Sequence, residues 1–148
     1  MTKVLMVCLG NICRSPLAQG ILEAKTNPTE IYVDSAGTAG YHVGEPPDSR
    51  SIAVAKKHQI DISQQRSRKF LPSDFENFDH IYVMDKTNYA DVLAQARTSS
   101  QAQKVKLLLK AAHMKTQAVP DPYYGGEAGF DHVFDLIDKA CEVIATKL

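Results

Sequence analysis

Short apolar runs separated by longer stretches of mixed polarity set the rhythm of this chain. Val4-Leu5-Met6-Val7 carries no polar residue and predicts a buried strand. Ile31-Tyr32-Val33, Ile81-Tyr82-Val83-Met84 and Val105-Lys106-Leu107-Leu108 predict three more strands. Between these runs the apolar positions take helical spacing. Pro16 to Lys25 predicts a first helix, with Leu17, Ile21 and Leu22 on one face and Thr26-Asn27-Pro28 at its end. A second helix is predicted from Pro46-Pro47-Asp48 to about His58, a short one over Pro72 to Phe78, and another over Asn88 to Ala96. Phe130 to Leu148 is the clearest amphipathic stretch, because Phe130, Val133, Phe134, Ile137, Cys141, Ile144 and Leu148 recur at steps of three and four. Cys141 lies on that stripe and reads as core. His58 reads as a helix-end histidine and Asp85 as a helix cap. Strand, helix and strand at this spacing predict right-handed parallel units. The whole alternation predicts a three-layer α/β sandwich, a four-stranded parallel sheet with helices on both faces.

Length and charge narrow the class. At 148 residues the chain is expected to form one domain over 1–148, large enough to fold without disulfides or metal. Lys plus Arg and Asp plus Glu both total 17, so no bulk field argues for nucleic acid or a membrane surface. Three cysteines, an odd number, argue against a disulfide framework and for a reducing compartment. The N-terminal apolar run is too short for a signal-peptide core, and no stretch approaches the ~20 apolar residues of a membrane span. These observations predict a cytoplasmic monomer with no cofactor, no metal, no nucleic-acid partner and no membrane partner; weak self-association stays open.

The chemistry concentrates after the first strand, in Cys8-Leu9-Gly10-Asn11-Ile12-Cys13-Arg14-Ser15-Pro16. Ser15-Pro16 reads as a hydroxyl cap followed by proline at the first helical position, so the stretch is a strand-to-helix loop. Such a loop turns backbone N–H groups toward an open helix end and favours an anion. Five residues separate one thiol, Cys8, from one guanidinium, Arg14. An arginine fork suits a phosphate, and a thiolate is a strong nucleophile. Helix N-termini and neighbouring cations favour thiolate over thiol, so Cys8 is expected to meet its substrate as the anion. Gly10 is expected to let the loop turn its amides inward, and Asn11 to tolerate a left-handed backbone. Ser15 can offer its hydroxyl to the sulfur. Taken singly, Cys8 reads as a small core residue and Arg14 as a solvated charge. Together in a Gly/Asn loop they read as a phosphate site. Zinc is the other reading of Cys8 and Cys13, but no second ligand pair follows them.

This nine-residue stretch resembles the phosphate loop of the low-molecular-weight protein tyrosine phosphatases. A second match lies far along the chain, at Asp121-Pro122-Tyr123-Tyr124-Gly125, which would otherwise read as an ordinary turn. The resemblance spans nearly the whole length and implies strand order 2-1-3-4. It implies Cys8 as nucleophile, Arg14 as phosphate clamp and Asp121 as general acid and then base, with Leu9, Gly10, Asn11, Ile12, Cys13 and Ser15 forming the loop. Ser35 matches a serine that helps hold the loop, and Tyr41 an aromatic residue at the cleft mouth. Tyr123 and Tyr124 would form the facing wall, selecting phosphotyrosine in protein substrates. Cys13 either packs or captures an oxidised Cys8 as a disulfide. The chain departs from the family at Gln65, where many members carry a histidine; Arg68 matches the family arginine. Asp85 matches an acidic position with a structural role.

Three other functions share parts of this pattern. A phosphoarginine phosphatase would carry threonine where Ile12 stands. A thiol-dependent arsenate reductase needs two further cysteines on a mobile segment, and none lies between Cys13 and Cys141. An inactive phosphoprotein-binding module would not require Cys8, Arg14 and Asp121 together.

Overall fold

One strand organises the layers. β1 (Thr2–Cys8) sends Val4, Met6 and Cys8 into an apolar cluster on one side, and Leu5 and Val7 into a second cluster on the other. This is the period-two alternation of a strand buried on both faces. In the computed structural model, which describes residues 1–123 and 126–148, β1 pairs in parallel with β2 (Ile31–Gly37) and with β3 (His80–Val83). β3 in turn pairs in parallel with β4 (Val105–Leu107). The order is β2-β1-β3-β4. The expected four-stranded parallel sheet is therefore present, with helices on both faces.

On the first face lie α1 (Arg14–Lys25), α2 (Ser49–Lys57), α6 (Leu108–Ala111) and α7 (Glu127–Lys147). Their buried residues include Leu17, Ile21 and Leu22, Val54 and Ala55, Leu108 and Leu109, and Phe130, Phe134, Ile137 and Cys141. On the second face Phe75 of α3 (Asp74–Asn77) and Val92 of α4 (Lys86–Leu93) pack with Phe70, Phe78, Ile81 and Val83. His58 ends α2, and its ring stacks on Phe134 at 4.0 Å between centroids. Cys141 is fully buried, and that burial pushes its thiol up. Among the described residues no helix is long and apolar enough to cross a membrane.

Four elements differ notably from the expectation. α1 begins at Arg14, not at Pro16, and Cys13 occupies the cap position without a side-chain cap bond. Ser15 thus lies in the first turn, where its hydroxyl bonds to Cys8 instead of closing the helix end. β2 runs four residues past Val33, where the apolar run ends, so Ser35 and Gly37 are sheet residues paired with Met6 and Cys8. Small side chains at 35–37 mask a strand that backbone pairing makes plain. α5 (Ser99–Gln103) and α6 are too short for a helical period to register.

α7 packs chiefly along α1, so the interior between them is a good site to test the core. Ile137→Ala removes a fully buried side chain there. It is expected to lower the unfolding free energy by about 3 kcal/mol in urea titrations, with an unchanged m-value.

Candidate active site

The loop between β1 and α1 turns carbonyls outward, and those of Cys8, Leu9, Gly10, Ile12 and Cys13 meet donors from distant segments. Thr38 N–H donates to the Cys8 carbonyl and Ala39 N–H to that of Leu9, both at 2.9 Å. The Ser67 hydroxyl donates to the Gly10 carbonyl (3.0 Å), Asp48 N–H to that of Ile12 (2.7 Å), and the Ser51 hydroxyl to that of Cys13 (3.3 Å). A planar trans peptide points its N–H away from its C=O, so this bonding turns the following amides to the concave side. Gly37 permits the approach, because a Cβ there would lie 2.7 Å from the Leu9 carbonyl oxygen.

Asn11 is the hub. It holds the left-handed backbone expected of it (φ 57°), while Gly10 takes no positive φ. At Gly10 the missing side chain instead makes room for the His42 ring, since a Cβ would meet it at 3.1 Å. Asn11 Oδ1 accepts from Arg68 N–H at 3.0 Å, a donor that has no alternative orientation. That bond fixes the amide, so Nδ2 donates to Ser15 Oγ (2.7 Å) and to Ser35 Oγ (2.9 Å). Ser15 Oγ, already accepting, lies 3.0 Å from Cys8 Sγ and has its own proton to offer. Ser35 thus reaches the loop through Asn11. Arg68 is held by Asp34 and by a two-pronged pair with Asp74. Gln65 donates through Nε2 to the Pro16 carbonyl at 3.1 Å, on the first turn of α1.

Arg14 is 2% exposed and enters the cleft from the start of α1. Its Nη1 donates to Asp85 Oδ2 (2.6 Å) and to the Val119 carbonyl (3.0 Å), while Nη2 lies 3.6 Å from Asp121 Oδ2. Burial works against this charge. The facing Cys8 sulfur and the carboxylates of Asp85 and Asp121 outweigh it and raise the arginine above its ordinary value. Asp85 also caps α4, accepting from Asn88 N–H while Asn88 Oδ1 accepts from Asp85 N–H. One carboxylate therefore fixes both a helix start and the buried guanidinium. Asp121 Oδ1 accepts from Tyr123 N–H at 3.0 Å, a local turn that orients the carboxylate.

The cleft above these groups encloses about 150 Å³. Cys8, Leu9, Gly10, Ile12, Cys13, Arg14, Tyr41, Asp121 and Tyr123 all border it. Leu9 and Tyr123 are partly open at 38% each, and Tyr41 stands out at 78%. Tyr124 lies outside the described residues. The cysteine pair divides in character: burial first, then the Asp48 carboxylate, pushes the Cys13 thiol up to about 12. Sequence reading passed over His42, which borders the cleft and bonds Glu45 through Nδ1 at 2.8 Å. It also passed over Val119 and Arg50, whose contacts are tertiary; the Asp48-Ser49-Arg50 helix start was the one available signal.

Replacing Asn11 separates its two tasks. Asn11→Gly keeps the backbone turn and loses the bonds; Asn11→Ala loses both. Both variants are expected to weaken inhibition by vanadate by roughly tenfold, from loosened loop amides. Thermal or urea unfolding is expected to rank alanine below glycine by about 1 kcal/mol, the cost of a left-handed alanine.

The comparisons with known proteins agree with this geometry. Residues 3–148 match the family model described as low molecular weight phosphotyrosine protein phosphatase. A protein of that name from Schizosaccharomyces pombe is 39% identical over 92% of this chain and 90% of its own. The Homo sapiens protein of that name is 38% identical over 98% of this chain and 94% of its own. A crystal structure of a protein tyrosine phosphatase from Entamoeba histolytica superposes with a TM-score of 0.92 at 40% identity, covering 99% of this chain and 96% of that one. With its fold and nearly its full length shared with these relatives, the chain belongs to the low molecular weight phosphotyrosine protein phosphatase family.

Proposed function

We propose that this protein hydrolyses phosphotyrosine in protein substrates through a phosphocysteine on Cys8. The observation that carries the reading is convergence: Cys8, Arg14 and Asp121, from opposite ends of the chain, border one small cleft, with Arg14 Nη2 facing Asp121. The Nη1 end of Arg14 is tied back to Asp85 and Val119, so the Nε–Nη2 edge is the one for an oxyanion. In the first step the Cys8 sulfur attacks phosphorus, and the tyrosine oxygen leaves with a proton from Asp121. In the second, water attacks the phosphocysteine, Asp121 takes a water proton, and the Cys8 thiolate departs as inorganic phosphate forms. Arg14 and the inward amides hold the equatorial oxygens through both transfers. The Ser15 hydroxyl, aimed at Cys8 by the Asn11 hub, stabilises the sulfur as it leaves.

Specificity follows from depth. Leu9, Ile12, Tyr41 and Tyr123 give the cleft apolar and aromatic walls that suit a phosphorylated ring, whereas phosphoserine is too short to span from the loop to the rim. Cys141 is buried on α7 and is no partner for a thiol relay, which favours hydrolysis over arsenate reduction. Three free thiols support action in the reducing cytoplasm.

Cys13 borders the same cleft and feels the Cys8 sulfur electrostatically. We infer that a Cys8 sulfenic acid condenses with the Cys13 thiol, forming a disulfide and releasing water.

Cys8→Ser is expected to abolish turnover, and Asp121→Ala to lower kcat/KM for a phosphotyrosine peptide by roughly 10²–10⁴-fold. A phosphoserine peptide turned over by the parent as fast as the phosphotyrosine one defeats the specificity reading. For the thiol pair, Cys13→Ser is expected to leave initial activity largely intact but to prevent thiol-driven recovery after peroxide; undiminished recovery removes the protective role.

A further inference from the structure

The proposed nucleophile and the proposed acid sit on separate loops, and Arg50 at the start of α2 lies between them. Its guanidinium forks onto Asp48, with Nε to Oδ1 and Nη2 to Oδ2 both at 3.0 Å. Nη2 also donates to the Tyr123 carbonyl at 2.9 Å. The same group stacks over the Phe130 ring, 4.6 Å from its centroid, and lies 5.7 Å from that of Tyr123. On the other side, Asp48 and Ser51 hold the Ile12 and Cys13 carbonyls of the phosphate loop. Tyr123 is thus gripped at both ends of its peptide frame: Arg50 takes its carbonyl, and its N–H holds Asp121 Oδ1.

We propose that Arg50 is a positioning residue for the acid–base steps: from α2 it fixes Tyr123, and through Tyr123 it sets the Asp121 carboxylate over Cys8. The inference rests on the reading of Asp121 as general acid. Arg50 touches no reacting atom. A planar guanidinium suits the task, because one rigid group meets a carboxylate, a carbonyl and an aromatic face together. A lysine has a single point of charge and cannot hold all three. Misplacement of an acid by about 1 Å can cost up to 10²-fold in rate, so a hold of this kind has kinetic consequences.

The test measures kcat/KM for a series of aryl phosphates, from p-nitrophenyl phosphate to phosphotyrosine, whose leaving phenols become steadily more basic. An acid matters most for the most basic leaving group. Asp121→Ala is expected to lose much more activity at the phosphotyrosine end than at the p-nitrophenyl end. Arg50→Met is expected to show the same slope in milder form, roughly tenfold at the phosphotyrosine end and under about twofold at the other. Added to Asp121→Ala, it is expected to cost little more, because both changes disable one group. Arg50→Lys keeps the charge and aliphatic stem and is expected to restore folding without restoring the flat profile, which keeps the test readable if the methionine variant melts. A loss uniform across the series, no loss, or full additivity with Asp121→Ala overturns the proposal. An Asp121→Ala profile without the slope overturns the acid assignment itself, whatever Arg50 does.

Discussion

A loop that offers its amides to an anion must turn its carbonyls the other way, and each buried carbonyl then needs a donor. In this protein the loop from Cys8 to Cys13 supplies none of those donors itself; they come from 38–39, 48–51 and 67, and Arg68 adds the bond that fixes Asn11. The consequence is global. β2 runs as far as Gly37 to bring Thr38 and Ala39 alongside the loop, and Gly37 lacks the side chain that would hold them apart. α2 starts where Asp48 and Ser51 can reach Ile12 and Cys13. The cradle is a property of the packed molecule and not of nine residues in isolation.

A buried cation imposes a second constraint. An arginine removed from water is costly unless charges and hydrogen bonds replace the solvent. Asp85, the Val119 carbonyl and Asp121 surround Arg14, and the Cys8 sulfur faces it. The carboxyl ends of parallel strands are where such groups gather, because helix starts and loops converge there. One residue, Met84, separates Asp85 from the end of β3, and its carbonyl accepts from Val119 N–H at 2.8 Å. The sheet edge therefore sets the guanidinium's back side and leaves its front to the cleft.

Three cysteines show how environment assigns chemistry to one side chain. Cys141 lies within the α7 core and is inert by burial. Cys13 caps α1 beside the Asp48 carboxylate, and both burial and that charge keep it a thiol. Cys8 alone ends a strand against a hydroxyl donor, a guanidinium and a helix start. The catalytic role proposed for Cys8 thus rests on what its thiol faces more than on its depth, since Cys8 and Cys13 are both nearly closed to solvent.

Taken alone, the sequence located the four strands and the long C-terminal helix, and it pointed to the residues proposed for the chemistry. Short apolar runs of strand length bounded by turn residues point to strands, and the three- and four-residue steps from Phe130 point to a helix laid on a core. Both arise from local periodicity, whereas the loop and the Asp121 segment were legible as contiguous motifs that resemble those of a known family. Tertiary structure decided the rest. The start of α1 at Arg14, the reach of Ser35 through Asn11, and the hold of Arg50 on Tyr123 appear only when distant segments meet. The physical reason is that hydrogen-bond partners and steric room are set by packing in space, while sequence periodicity reports only which face of each element is apolar.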